Sequence, residues 1–431
     1  MTIRCFCSCA LYELQSLTTH ICAIRPYIPQ ISKLEHNKFI FSKVPTLRFA
    51  EFAEQWEQKT FDETFSILSN NTLSRAELNY ENGNYKNIHY GDVLIKFSAF
   101  IDASSPDVPY INDENSSSKL DNILLQDGDI IIADTAEDFT VGKATEVENV
   151  DEIKVVSGLH TIPCRPKIKF SPRYLGYYVN SPAYHNQLIP FIQGVKVSSI
   201  SKTLIKKTFV SFPSLSEQTK IADFLSCLDK KIEVQNKIIS KYETLIKGIR
   251  ERIVNCGWQW KKLDELIQEG IVRLNRGNII PKHQKDNAYK YPVYSSSTQN
   301  NGLMGYNDTY MFDKELITWS IDGGGNFFYR KKHKFNVTNV CGILQVDENV
   351  YSYRFIAEML TYQHSKMKFD YQSKAHPSVI SSLYSLPCLP ISEQNSYCRL
   401  FIALDKKMQI EQCCLNKLKE QKKYLLSKMF I

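Results

Sequence analysis

Positive charge is the chemical resource that this 431-residue sequence gathers into defined places. No acidic residue lies between Glu152 and Glu217. That window holds Lys154, Arg165, Lys167, Lys169, Arg173, Lys196, Lys202, Lys206 and Lys207. From Val44 to Leu215 there are 16 basic against 22 acidic residues, so the charge is segregated rather than merely abundant. A second cluster, Arg330-Lys331-Lys332 with Lys334, lies between Trp258 and Pro390, where 16 basic residues stand against 12 acidic ones. Cations segregated on domains of mixed balance suit a polyanion, and their chemistry there is contact with phosphate. A solvated lysine-rich face would explain either cluster about as well, taken alone.

Other reactive residue types do not form catalytic patterns. Asp322-Gly323-Gly324-Gly325-Asn326 lacks the Gly-Lys-Ser/Thr ending of a phosphate loop and fits a hairpin turn before a basic run. Ser181-Pro182-Ala183-Tyr184 has alanine where an amino-methyltransferase site carries its second proline, and no glycine-rich cofactor motif accompanies it. His160, His185, His283, His333, His364 and His376 show no ligand-like pairing. The 12 cysteines include no CxxC pair, which argues against a zinc site and for the reduced thiols of a cytoplasmic protein. Cys5, Cys7, Cys9 and Cys22 crowd into residues 1–43, an N-terminal extension of unassigned role, open to disorder or to a misassigned start. It lacks the features of a clear secretory signal. No run of about 18 apolar residues exists, so no transmembrane helix is expected.

The elements that must position the cations are organised around a repeat. The segment starting Ser216-Glu217-Gln218 returns at Ser392-Glu393-Gln394, and Leu228-Asp229-Lys230-Lys231 returns at Leu404-Asp405-Lys406-Lys407, always 176 positions on. Apolar residues recur at steps of three and four in both copies: Ile221, Leu225, Leu228, Ile232, Ile239, Tyr242, Ile246, Ile249 and Ile253, then Tyr397, Phe401, Leu404, Met408, Leu415, Leu418, Leu425 and Met429. Both seams skip the same position, Gln235 and Glu411, and the second skips Lys422 as well. A period of 3.5 predicts coiled-coil helices, with Ser216 and Ser392 as N-caps and Gly257 closing the first. From Ile221 to Ile253 such a helix is roughly 50 Å long. An antiparallel pair brings the ends of the intervening segment together and sets Gln235 beside Glu411, as a polar layer that could fix register. The coiled-coil interface is expected to include Leu225, Leu228, Ile232, Ile239 and Ile246 against Phe401, Leu404, Met408, Leu415 and Leu418.

The globular segments between have like ends and unlike interiors. Trp56–Glu63 is echoed by Trp258–Glu265. In the first segment, strands are predicted at Gly91–Lys96, Asp127–Ala133 and Thr208–Phe212, with a helix over Arg173–Asn186 and a polar loop at Gly194–Ser201. In the second, Glu315–Ser320 reads as a strand and Tyr353 to about Gln363 as a helix.

The duplicated proline, Glu-Gln and Leu-Asp signature resembles the DNA-specificity subunit of type I restriction–modification systems. It rests on Pro213, Glu217-Gln218 and Leu228-Asp229, then Pro390, Glu393-Gln394 and Leu404-Asp405. Pro45-Thr46-Leu47-Arg48-Phe49 is similar to the family's usual beginning, and Tyr291-Pro292-Val293-Tyr294 with Gly302 and Gly305 to one of its recognition-domain patterns. The likeness covers roughly Ser42 to Ile431; the extension before it is a departure. It implies an α+β chain: two mixed α/β target recognition domains, separated by two long antiparallel coiled-coil helices in a pseudo-twofold repeat. The expected divisions are 1–43, 44–215, 216–256, 257–390 and 391–431.

The resemblance also implies a non-catalytic cytoplasmic protein. Each domain would read half of a split double-stranded DNA target. The helices would set the spacer and dock two methyltransferase subunits, and nuclease/translocase subunits would join. S-adenosylmethionine, ATP and Mg2+ would be held by those partners and none by this chain. The DNA-facing candidates are Lys96, Lys196, Lys202, Lys206, Lys207, Ser296, Ser297, Arg330, Lys331, Lys332 and Lys374. Two readings compete with this one. A self-contained DNA-modifying enzyme would need a cofactor motif. A coiled-coil scaffold, or another nucleic-acid-binding protein, would leave the basic clusters incidental.

Overall fold

The computed structural model describes residues 24–26, 44–112, 118–150, 153–194, 196–280, 290–297, 299–322, 324–367 and 374–431. Residues 1–43 fall outside these except Ile24–Pro26, which pairs antiparallel with Leu47–Phe49. The crowded Cys5, Cys7, Cys9 and Cys22 therefore lie outside the described residues. The chain forms two compact units, Met1–Glu233 with Asn416–Ile431, and Val234–Leu415.

In the first unit, one five-stranded sheet is built from β1 (Phe65–Ile67), β2 (Phe100–Asp102), β3 (Ile130–Ala133), β4 (Ala144–Glu148) and β5 (Thr161–Pro166), in the order β1-β5-β3-β4-β2. Neighbours are antiparallel except β4 and β2. A four-stranded sheet stands beside it, and Glu57–Thr60 pairs with Phe209–Phe212 to close the unit. Gly128, at φ +85°, makes the turn into β3, as the Gly-Asp pattern predicts. The same pattern misleads at Gly91-Asp92. That stretch is helix α1 (Tyr90–Ile95), because the His89 ring accepts the Gly91 N–H at 3.1 Å and caps a turn. The helix expected over Arg173–Asn186 is two, α2 (Tyr174–Val179) and α3 (Pro182–Leu188), since Pro182 has no N–H to continue the first.

Helix α4 (Leu215–Asn255) and the final helix carry the repeated seam. Both helices begin one residue before the serines expected as caps. The Ser214 carbonyl accepts the Gln218 N–H at 3.0 Å and the Pro390 carbonyl the Gln394 N–H at 3.1 Å, so Ser216 and Ser392 sit in first turns. Gly257, at φ +77°, follows the end of α4. In the first unit the start of α4 and the last residues of the chain share one core. Ile221, Leu225, Leu228 and Ile232 belong to it with Leu418, Leu425, Met429 and Phe430, as do Phe49, Trp56, Tyr174 and Tyr178. Phe430 stands edge-on to Trp56 at 6.4 Å.

The second unit is built on a six-stranded sheet: β6 (Val272–Arg276), β7 (Tyr291–Tyr294), β8 (Leu303–Asn307), β9 (Phe312–Ser320), β10 (Phe327–Val337) and β11 (Cys341–Val346), ordered β6-β11-β9-β10-β7-β8. Helix α5 (Tyr353–Lys366) covers it, packing Ile356 and Leu360 with Trp319 and Phe327. Trp260–Lys262 pairs with Ser385–Pro387, the counterpart of the closing pair in the first unit. Helix α6 (Pro377–Leu383) leads to α7 (Ile391–Lys428). Here the rest of α4 meets the start of α7: Ile246 and Ile253 share a core with Phe401, Leu404 and Met408. Leu415 is buried and Ile239 half-buried. The polar layer is present. The Gln235 amide donates to the Glu411 carboxylate at 2.6 Å and to the Glu411 carbonyl at 3.1 Å.

The repeated Glu-Gln motif has a common task. Gln218 is 2 % exposed. It donates to the Pro213 carbonyl and accepts the Ser171 N–H, tying α4 to the entry of α2. Gln394 is fully buried. It donates to the Leu389 and Val350 carbonyls and accepts the Ser352 N–H, tying α7 to the entry of α5. The glutamates differ. Glu217 forms a buried bidentate pair with Arg48, at 2.7 and 2.6 Å, whereas Glu393 is exposed.

Candidate nucleic-acid interface

Each expected cation is placed by the element that carries it. In the first unit Lys96 follows α1, exposed. Its ammonium donates to the Tyr80 hydroxyl at 2.7 Å and lies 3.4 Å from the Asp92 carboxylate. The hydrogen bond to Tyr80, ahead of the pull of Asp92, holds its pKa above the usual lysine range. Arg75 converges on the same two groups. It pairs with Asp92 at 2.8 Å and donates to the Tyr80 hydroxyl at 3.1 Å. Asp92 is 1 % exposed, so the two half-exposed cations are anchored from below while Tyr80 stays open to solvent. No spacing in the sequence ties Arg75 to Lys96; tertiary folding brings them together.

The remaining lysines do not join that group. Lys202 donates to Asn70 at 3.1 Å, Lys206 pairs with Asp62 at 3.1 Å, and Lys207 lies 5.9 Å from the Phe191 ring. Lys196 is exposed. The acid-free window is also partly neutralised by acids from elsewhere in the chain. Arg165 makes a two-pronged pair with Asp129, Arg173 with Glu148, and Lys154 a single pair with Asp121. A cleft of about 490 Å³ lined by Asp127, Asp129, Glu146, Glu148, Arg165 and Arg173 therefore offers no unpaired arginine. Within it, burial pushes the Glu146 carboxyl up to about 7, against the opposing N–H donors of Gly176 and Arg173. Sequence reasoning did not find this acid; strand β4 buries it and the start of α2 caps it.

In the second unit, β10 separates the members of its basic cluster. Lys331 and Lys332 are exposed, but Arg330 is only 4 % exposed and does not belong to the open face. Its guanidinium carbon sits over the Tyr294 ring, 3.6 Å from the centroid, and Nε donates to Thr318 at 2.9 Å. Its Nη2 has no hydrogen-bond partner among the described residues. Burial pushes its pKa down to about 10. Strand alternation, reset by a bulge in β10 where Lys331 and Lys332 together stand opposite Glu315, turned this residue inward. Lys334 remains outside, 4.6 Å from the Tyr310 ring. The Ser296 carbonyl accepts the Ser320 hydroxyl at 2.6 Å, Ser297 is exposed, and Lys374 lies 3.5 Å from Asp322.

Among the described residues, no group of three or more histidines, cysteines and carboxylates is placed to hold a metal ion. Nor is any helix there long and apolar enough to cross a membrane.

Comparison with known proteins adds the context. The model of the type I restriction modification DNA specificity domain matches residues 53–244 and again 255–420. A putative type I specificity subunit of Mycoplasma pneumoniae is 40% identical over 100 residues, 22% of this chain and 32% of that protein. A second from the same organism is 30% identical over 159 residues, 36% of this chain and 42% of its own length. A third is 27% identical over 189 residues, 43% of this chain and 79% of its own length. The chain thus spans about a third to under a half of the first two relatives. The crystal structure of a type I restriction–modification S subunit from M. genitalium is similar in fold at a TM-score of 0.57 and 16% identity, with 90% of this chain and 99% of that one covered.

Proposed function

We propose, for a chain that belongs to the type I restriction–modification DNA specificity family, that each unit reads one half of a split duplex target. The two long helices set the spacer between the halves. The observation that carries this reading is a shared frame around different sheets. Both units close with an antiparallel strand pair and a buried glutamine lock, yet one encloses five- and four-stranded sheets and the other a six-stranded sheet. A repeated frame suits two copies of one partner, and unlike interiors suit two different half-sites. Lysines and arginines on the open faces position the units on phosphate, and polar side chains read base edges.

In this reading the chain is not itself a catalyst. Two methyltransferase subunits dock on the helices, and nuclease/translocase subunits join the assembly in the cytoplasm. S-adenosylmethionine, ATP and Mg2+ belong to those partners. The test is co-expression with the cognate methyltransferase subunit followed by genome-wide mapping of methylation. A bipartite motif with a fixed gap is expected. Exchange of residues 258–390 for those of another family member should then change one half alone. Change in both halves would refute the two-reader reading, and methylation or cleavage by the purified chain alone would refute the non-catalytic one.

A further inference from the structure

The second unit carries a tip that the charge pattern does not reveal. Strands β7 and β8 form a hairpin at the edge of the six-stranded sheet, and Gln299, Asn300 and Asn301 stand exposed at its end. None of their side-chain amides is bonded to another described residue. Asn300 (φ 48°, ψ 41°), Asn301 (φ 52°, ψ 30°) and Gly302 (φ 77°) are successively left-handed, which turns the chain back tightly. The Ser295 N–H donates to the Gly302 carbonyl at 2.8 Å, and the Ser320 hydroxyl fastens the Ser296 carbonyl. The tip is therefore held at its base while its amides face solvent.

Beneath it lies Arg330. A Cβ on Gly302 would come within 3.3 Å of the Arg330 Nη2 and 2.9 Å of the Ser295 carbonyl oxygen. That guanidinium is almost fully buried against the Tyr294 ring and, among the described residues, makes no ion pair and keeps Nη2 without a hydrogen-bond partner. That guanidinium, seated over the Tyr294 ring, makes the floor of the tip positive, which suits a nucleic acid, and each exposed amide above it offers one donor group and one acceptor. A two-stranded ribbon fits the major groove, and an asparagine or glutamine amide is the two-pronged match to adenine N6 and N7.

We infer that Asn300 and Asn301 read adenine in the major groove of the half-site assigned to the second unit, an inference that rests on the function proposed above. Asparagine also tolerates a left-handed turn, so the test must separate reading from turning. Glycine does this, because it keeps the positive φ and removes the amide. The full chain, complexed with its methyltransferase, is assayed for binding to duplexes in which each base pair of the mapped target is replaced in turn, at fixed salt. A parent complex without a two-part preference would refute the function proposed above, not the tip alone. In the Asn300→Gly/Asn301→Gly variant, discrimination at one or two A·T pairs of the second half should fall about 10- to 100-fold, the first half staying unchanged. Asn301→Asp, which also tolerates the turn, should move the preference at its position toward cytosine, whose N4 donates. Unchanged discrimination in both variants would overturn the inference and leave the asparagines as turn residues. A uniform loss across both halves would overturn it too.

Discussion

Replacing Gln394 with methionine should destabilise the second unit about as much as Gln218→Met destabilises the first. Methionine keeps nearly the volume of glutamine but neither donates nor accepts usefully. At Gln394 it leaves three backbone groups without their partner: the buried Leu389 carbonyl, and the part-buried Val350 carbonyl and Ser352 N–H. At Gln218 it leaves two, the Pro213 carbonyl and the Ser171 N–H. At about 1–2 kcal/mol per buried orphan and about 0.5–1 kcal/mol per part-buried one that water can reach, each replacement costs about 2–4 kcal/mol. Amide hydrogen exchange reads each unit separately. Gln394→Met should accelerate the Ser352 amide and those of the first turn of α5, leaving Ser171 unaffected; Gln218→Met should do the converse. A cost below about 0.5 kcal/mol for both variants, or an unchanged Ser352 amide, would show that the glutamines do not tie the domains to their helices.

The buried Arg48–Glu217 pair gives a second expectation. Arg48→Met should cost about 3–5 kcal/mol by stranding Glu217, whereas Arg48→Met with Glu217→Met should recover most of that loss in urea unfolding. Glu146 gives a pH dependence. Its carboxyl is pushed up to about 7 by burial, from about 4.5 in an unfolded chain, so the folded state holds the extra proton between those values. Stability should therefore fall as pH rises through that window, and Glu146→Gln should flatten the slope measured from pH 4.5 to 8. Finally, equal insertions of one heptad in both α4 and α7 should lengthen the gap in the methylation motif; a constant gap would refute the spacer role.

The helices were legible because their evidence is local. The 3.5-residue seam, and the polar position it skips, follow from periodicity alone, and Gln235 meets Glu411 in the structure. The interface was less legible because charge pairing is not local. Arg173 lies in an acid-free stretch yet finds Glu148 on a strand 25 residues earlier. Glu217 suits a helix start by its charge, but what it binds is Arg48, 169 residues away. Arg330 and Lys331 are adjacent in a basic run, and only the strand that holds them decides which faces water. Gly-Asp before a β-branched residue precedes a strand at residue 128 and opens a helix at residue 91; the capping ring of His89 makes the difference.

The sharing of the first core by Leu425, Met429 and Phe430 has a consequence for biosynthesis. The first unit's own residues leave the ribosome early, but the side chains that cover Trp56, Tyr174 and Tyr178 are made after the whole second unit. At about 5–20 residues per second, that delay is about 10–40 s. The unit synthesised first is therefore finished last. A message cut short inside the second unit would leave the first with an open aromatic core, exposed to proteases and chaperones, and no stable first unit would accumulate.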